Sequence, residues 1–273
     1  MSKVVFSSSR CVRCNLCSRA CPRGIIGRQA GSLLPFIAPA DHDQCIECGH
    51  CEAICPTDAA VLTGAHLQSS AFPVAADLSP EQVAGYFQAR RSIRLYKPEP
   101  IGQDRLEQLF DIVRYAPTAL NRQPLGWIVI NGPEKVRAVA RTVIDWTRAM
   151  LEKQHPMALQ FHFDLMLQAW DNGGDPICRK ASCLVVAHGL KEDRMAGTDA
   201  TIALAHLELA APAFKLGACW AGYVGIAASM SPEVRAALGV SENQACLGVM
   251  MLGHPAVDYR RPPKRKPATL TFR

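Results

Sequence analysis

A chain of 273 residues that is 49% hydrophobic and 20% charged holds enough apolar material for a sizeable core, which excludes a disordered or collagen-like polypeptide. Its length suits one large domain or two of unequal size. The most apolar stretch, residues 200–230, is broken by His206, Glu208, Pro212 and Lys215, so no run reaches the roughly 20 residues of a membrane-spanning helix. The N-terminus offers only Val4, Val5 and Phe6 where a secretory signal needs roughly 7–15 apolar residues. The expectation is a cytoplasmic chain without a membrane partner. Twelve cysteines are anomalous there. Disulfides do not persist in the cytoplasm, so clustered cysteines should bind metal or act in catalysis.

Cys11, Cys14, Cys17 and Cys21 are spaced C-x2-C-x2-C-x3-C and followed by Pro22; Cys45, Cys48, Cys51 and Cys55 repeat the spacing and precede Pro56. Each position returns 34 residues later, an internal duplication. A helical repeat array of that period would need amphipathic helices and about three or more copies. The spacing suits [4Fe–4S] cubes, since one tight loop can present three thiolates and a fourth arrives from elsewhere. Tetrahedral zinc would leave the third close cysteine and the Cys-Pro of each run unexplained. Attached haem would need C-x2-C-H, which is absent. Residues 1–62 resemble a bacterial-type two-cluster ferredoxin, a one-electron carrier. In such ferredoxins the cysteine before proline ligates the other cluster. The resemblance therefore assigns Cys11, Cys14, Cys17 and Cys55 to one [4Fe–4S] cluster and Cys45, Cys48, Cys51 and Cys21 to a second. So small a segment should draw its folding energy from cluster binding.

Residues 63–79 read as a linker rich in small residues. A second domain, residues 80–273, opens at Ser79-Pro80-Glu81-Gln82, with serine as N-cap, proline at the first helical position and glutamine at N3. Asp104–Tyr115 has Leu106, Leu109, Phe110 and Val113 at helical spacing. Trp127–Ile130, Leu184–Ala187 and Leu247–Leu252 read as short buried strands, Ala200–Leu216 as a mostly buried helix closed by Gly217, and Ser231-Pro232-Glu233 as another helix start. No G-x-G-x-x-G follows a strand, so a Rossmann dinucleotide site is not expected.

Arg90-Arg91-Ser92-Ile93-Arg94 places three guanidiniums and a hydroxyl within five residues, a donor set suited to a phosphate, although a solvated basic face has the same composition. Pro117-Thr-Ala-Leu-Asn-Arg-Gln-Pro124 is a polar loop between helix and strand. With Asp199-Ala200 through Leu216-Gly217, Cys219-Trp-Ala-Gly222 and Leu252-Gly-His-Pro255 before a basic run, these motifs in order resemble the nitroreductase family of FMN-dependent oxidoreductases over residues 80–273. The resemblance implies an α+β fold: a small ferredoxin-like two-cluster domain, then a nitroreductase-like domain whose central, mostly antiparallel sheet is flanked by helices.

The resemblance also implies FMN as cofactor. Arg90, Ser92 and Arg94 would lie on its phosphate and ribityl side, with Arg91 adding backbone or charge, and Arg261 and Lys264, or Arg260, would close on the phosphate. Trp220, Ala221 and Gly222 would line the isoalloxazine. Pro117, Thr118, Ala119 and Asn121 would reach the flavin of the partner subunit, with Gln123 supporting the loop, so a homodimer with FMN at its interface is expected. Ala119 stands where the family commonly has serine, and Ala221 where some members have glutamate. Flavin N5 carries the chemistry and no side chain is expected to be catalytic. The implied function is reduction of small electron-poor acceptors, nitroaromatics or quinones, with electrons from NAD(P)H or a redox protein passing through the ferredoxin segment. The alternatives are an electron-transfer protein serving a protein partner, or a redox sensor. A net charge of +6 does not point to nucleic acid, because no DNA-reading motif accompanies it. Cys178, Cys183, Cys219 and Cys246 read as buried small hydrophobes.

Overall fold

The computed structural model describes residues 3–64 and 77–273. Most of the expected linker at 63–79 lies outside the described residues. The chain forms two compact units: residues 3–64 together with the loop Thr118–Gln123, and residues 77–117 together with Pro124–Arg273.

The first unit repeats its backbone as it repeats its cysteines. Strands β1 (Val4–Phe6) and β4 (Ala60–Leu62) pair antiparallel, as do β2 (Ile26–Arg28) and β3 (Pro35–Ile37), with short helices α1 (Leu16–Ala20) and α2 (His50–Ala53) between. The left-handed residues recur at the same offset: Arg13 with Glu47, Asn15 with Gly49, Gly24 with Asp58. Such backbone is unfavourable for a side-chain-bearing residue. Its recurrence shows that each half makes the same tight wrap. The apolar core of this unit is small, built on Val4, Ile25, Ile26, Ile37 and Cys51.

The second unit opens with α3 (Pro80–Ala89), whose Ser79 forms the capping box with Gln82, and α4 (Gln103–Val113). Then follow β5 (Gly126–Asn131), α5 (Pro133–Glu152), α6 (Pro156–Gln160), α7 (Phe163–Asp171), β6 (Cys183–Leu190), α8 (Ala196–Ala210), β7 (Gly217–Trp220), α9 (Gly222–Met230), α10 (Pro232–Ala237) and β8 (Gln244–Gly253). The four strands form one antiparallel sheet in the order β5-β6-β8-β7. Alternation along β6 divides the core: Leu184 and Val186 pack with α5, α9 and α10, while Cys183, Val185 and Ala187 pack with α4 and α8. Both faces of the sheet are therefore covered by helices.

Two expectations change. Helices α5 to α7 were not read from the sequence. Helix α8 ends at Ala210 rather than Leu216: Pro212 lacks the N–H that continues the ladder, the chain tightens into a 3-10 turn over Ala211–Phe214, and Lys215 at φ 56° ends it. Gly217 is the first residue of β7 rather than a helix cap.

The segment after α3 is fixed by backbone pairing. Ile93 N–H donates to Ala218 at 2.9 Å, Lys97 N–H to His254 at 2.8 Å, and Ala256 N–H to Leu95 at 2.9 Å. Gly217 permits this approach, for a Cβ there would stand 2.5 Å from Ile93 Cγ1. Gly217→Ala is expected to destabilise the protein by about 1–3 kcal/mol through this overpacking, read as a lower denaturation midpoint. An unchanged midpoint would contradict the packing.

Candidate functional site

In the first unit two cavities are lined by cysteine quartets. One is bounded by Cys11, Cys14, Cys17 and Cys55 with Phe6, Val12, Leu16 and Pro35; the other by Cys21, Cys45, Cys48 and Cys51 with Val4, Ile25, Ile37 and Leu62. The last cysteine of each run thus lies with the first three of the other. Four soft thiolates in an apolar surround fit an iron–sulfur cube. Burial pushes the Cys51 thiol up to about 11 and raises Cys17 as well. Burial also raises Cys55, but hydrogen bonds from the backbone at Thr57, Ala60 and Ala59 outweigh it and leave this thiol below the ordinary value; the Ala59 N–H lies 3.1 Å from Sγ. Metal binding must displace the protons of the raised thiols.

The loop between Cys45 and Cys48 has partners that sequence reading missed. Lys3 Nζ donates to Cys45 O at 3.1 Å and pairs with Glu47 at 2.7 Å. Asn121, expected to face a flavin, donates from Nδ2 to Ile46 O at 3.1 Å and Glu47 O at 3.0 Å. The remainder of that loop is held by Thr118, whose Oγ1 accepts from Gln123 N–H at 3.0 Å. Ala119 begins its 3-10 turn, and Pro117 precedes it in the second unit.

In the second unit Ser92, Arg94, Glu208 and Cys219 come together. Arg94, exposed, donates to Ser92 O at 3.3 Å, and Arg94 and Ser92 both favour the ionised form of the Cys219 thiol while Glu208 opposes it. Arg90 pairs with Glu208 at 2.8 Å, both half-buried. Glu208 was noticed in the sequence only as an interruption of an apolar helix, and that interruption was the signal. The Arg91 guanidinium turns back onto the carbonyls of Arg90 and Gln88. Arg91 and Glu208 also line a cavity of about 550 Å³ with Lys97, Arg105, Lys215 and His254. Trp220 ends β7 and is 39% exposed, Ala221 is buried and Gly222 starts α9. Arg261 and Lys264 lie on an exposed tail, with no ion-pair partner among the described residues. An Arg–Ser–Arg donor set in which Arg94 stays open fits a phosphate.

A family model described as the nitroreductase family matches residues 87–254, more than half of the chain. This chain belongs to the nitroreductase family. A model of a 4Fe-4S dicluster domain matches residues 10–60 of this nitroreductase-family chain. A curated relative, NADH-quinone oxidoreductase subunit I 2 of Geobacter metallireducens, is 37% identical over 67 residues, 23% of this chain and 51% of that protein. The chain thus spans about half the length of the curated relative it matches. Among solved structures, a nitroreductase with bound FMN from Bacteroides fragilis has 24% identity and a TM-score of 0.57, covering 70% of this chain and 98% of its own. A second, from Desulfitobacterium hafniense and also with bound FMN, has 21% identity and a TM-score of 0.56, covering 69% and 96%. These likenesses establish the α+β fold of the second unit.

Cys219, beside Arg94 in this nitroreductase fold, invites a nucleophile reading, but burial pushes its thiol up more than Arg94 and the Ser92 hydrogen bond pull it down. Burial likewise lifts Cys246 to about 11 and Cys183 to about 12. At pH 8 the Cys246 thiol is almost wholly protonated. Iodoacetamide is therefore expected to label Cys183, Cys219 and Cys246 far more slowly than a free cysteine at pH 8, with rates rising toward pH 10. Rapid alkylation of Cys219 at pH 7 would identify a reactive thiolate instead.

Proposed function

We propose that this chain is a cytoplasmic FMN-dependent oxidoreductase that receives electrons through two [4Fe–4S] clusters in its first unit and reduces a small electron-poor acceptor, a nitroaromatic, a quinone or a related ring. The observation that carries the reading is the joining, in one nitroreductase-family chain, of two cavities each lined by four cysteines to an Arg–Ser–Arg segment pinned beside β7. The FMN bound by the Bacteroides fragilis and Desulfitobacterium hafniense relatives supports the choice of flavin. When bound, the clusters supply one-electron transfer and FMN a two-electron exchange with the acceptor.

The chain's own residues bind and orient. Cys11, Cys14, Cys17 and Cys55 hold one cluster; Cys21, Cys45, Cys48 and Cys51 hold the other. Arg94 and Ser92 grip the phosphate, and Glu208 sets the direction of Arg90. Arg91 contributes charge, and Arg261 and Lys264 on the tail close on the anion. Trp220, Ala221 and Gly222 border the ring. Pro117, Thr118, Ala119 and Gln123 serve the flavin of the partner subunit in a two-fold homodimer. Asn121, whose two amide N–H groups already serve Ile46 and Glu47, is not counted among the flavin contacts. NAD(P)H or a redox protein is the donor.

Anaerobically prepared protein is expected to contain about eight iron and eight sulfide per chain, with one non-covalent FMN. Cys11→Ala should lose about four iron, and zinc in place of iron would refute the cluster reading. Arg94→Ala should weaken FMN binding by about 1.5–3 kcal/mol, the scale of a charged hydrogen bond, with iron content unchanged; wild-type affinity would restore the solvated-face reading. Sedimentation should show a dimer whose stability rises with FMN occupancy, and a flavin-loaded monomer would dispose of the shared pocket. Steady-state reduction of small acceptors separates the enzyme from a relay to a protein partner, which would show none.

A further inference from the structure

The two cysteine runs share a backbone and differ in what holds it. Arg13 and Glu47 are equivalent, each preceding the second cysteine of its run and each left-handed, at φ 59° and 52°. In the first run Val12 is 60% exposed, and among the described residues no side chain donates to the carbonyls of Cys11, Val12 or Arg13. In the second run three successive carbonyls accept side-chain donors: Cys45 from Lys3, then Ile46 and Glu47 from the Asn121 amide. Both partners of that amide are carbonyl oxygens, so chemistry alone orients its NH2 toward them.

The peptide plane carries the consequence. In a trans peptide the C=O and the following N–H point to opposite sides. Drawing the Ile46 and Glu47 carbonyls toward Asn121 therefore turns the Glu47 and Cys48 N–H groups the other way, in a loop whose Ile46 and Cys48 line the second cavity. Amide hydrogen bonds to cluster sulfur stabilise the added electron and raise the potential. The clamp is itself over-determined. Leu120, Asn121 and Gln123 all sit left-handed, at φ 53°, 53° and 47°, a conformation that most side-chain-bearing residues disfavour and asparagine tolerates. It is held by Asn121 N–H on Thr118 O at 3.0 Å and Gln123 N–H on Thr118 Oγ1 at 3.0 Å.

We propose that Asn121 is a positioning residue for the cluster of Cys21, Cys45, Cys48 and Cys51: its amide fixes the peptide planes of that binding loop and sets that cluster's potential apart from its twin's. The inference rests on the reading that each quartet holds a [4Fe–4S] cluster.

The test is a potentiometric titration followed by electron paramagnetic resonance on the anaerobic holoprotein, comparing wild type, Asn121→Gly and Asn121→Asp. Glycine keeps the left-handed backbone and removes the donors; aspartate keeps the shape but turns oxygens toward the two carbonyls. One midpoint potential should move to more negative values, further for aspartate than for glycine, while the other holds and FMN content stays at the wild-type level. Loss of the second cluster alone, leaving about four iron per variant chain, would support the clamp as well. Unchanged potentials in both variants, an equal shift of both clusters, loss of both clusters, or loss of FMN with both potentials intact would overturn it. About four iron or fewer in the wild-type chain would instead overturn the two-cluster reading, and this inference with it.

Discussion

Each cysteine-lined cavity of the first unit takes its fourth thiol from the other run. Cys55 lies with Cys11, Cys14 and Cys17, and Cys21 with Cys45, Cys48 and Cys51, so neither half completes a site without its twin. The apolar core available to that unit is too small to organise it by burial. On the proposed reading, metal–thiolate bonds supply the missing folding energy, and the crossed ligands join two short, tightly wound loops into one body. The recurring left-handed residues belong to the same requirement, because three thiols from seven residues of chain can converge only if the backbone bends sharply between them.

The second unit solves a different problem by burial. Its sheet is covered on both faces, and the β6 side chains alternate between the two layers. The Arg90–Arg94 segment gains its place from main-chain pairing with β7 and with residues 254–256. That pairing leaves side chains free to recognise an anion, which a segment held by its own guanidiniums would not do. Arg90 shows the trade: its pairing with Glu208 fixes it, while Arg94 stays exposed with most of its donors open.

Sequence reading reached the cysteine quartets, the Ser79 capping box and the three longer strands because each rests on spacing within a few residues or on a run of apolar side chains. It did not reach α5, although Val136, Val139, Ala140 and Val143 lie at helical spacing in it. It ran α8 through Pro212, giving apolar composition more weight than a missing N–H. It placed Asn121 at a flavin on the strength of its loop, and in the fold both of its amide donors meet the carbonyls of Ile46 and Glu47.

By itself the sequence determined what covalent spacing and local periodicity can encode: the duplication, the order of motifs and the longer elements, while the crossed quartets and the α+β class were expectations that the family resemblance of those motifs implied. Only the tertiary structure decided which polar groups meet. Arg90 and Glu208 are 118 residues apart, and Asn121 and Ile46 are 75 apart. A hydrogen bond depends on a separation near 3 Å and on direction, and no local pattern in the chain records which distant donor will be brought within that distance of which acceptor.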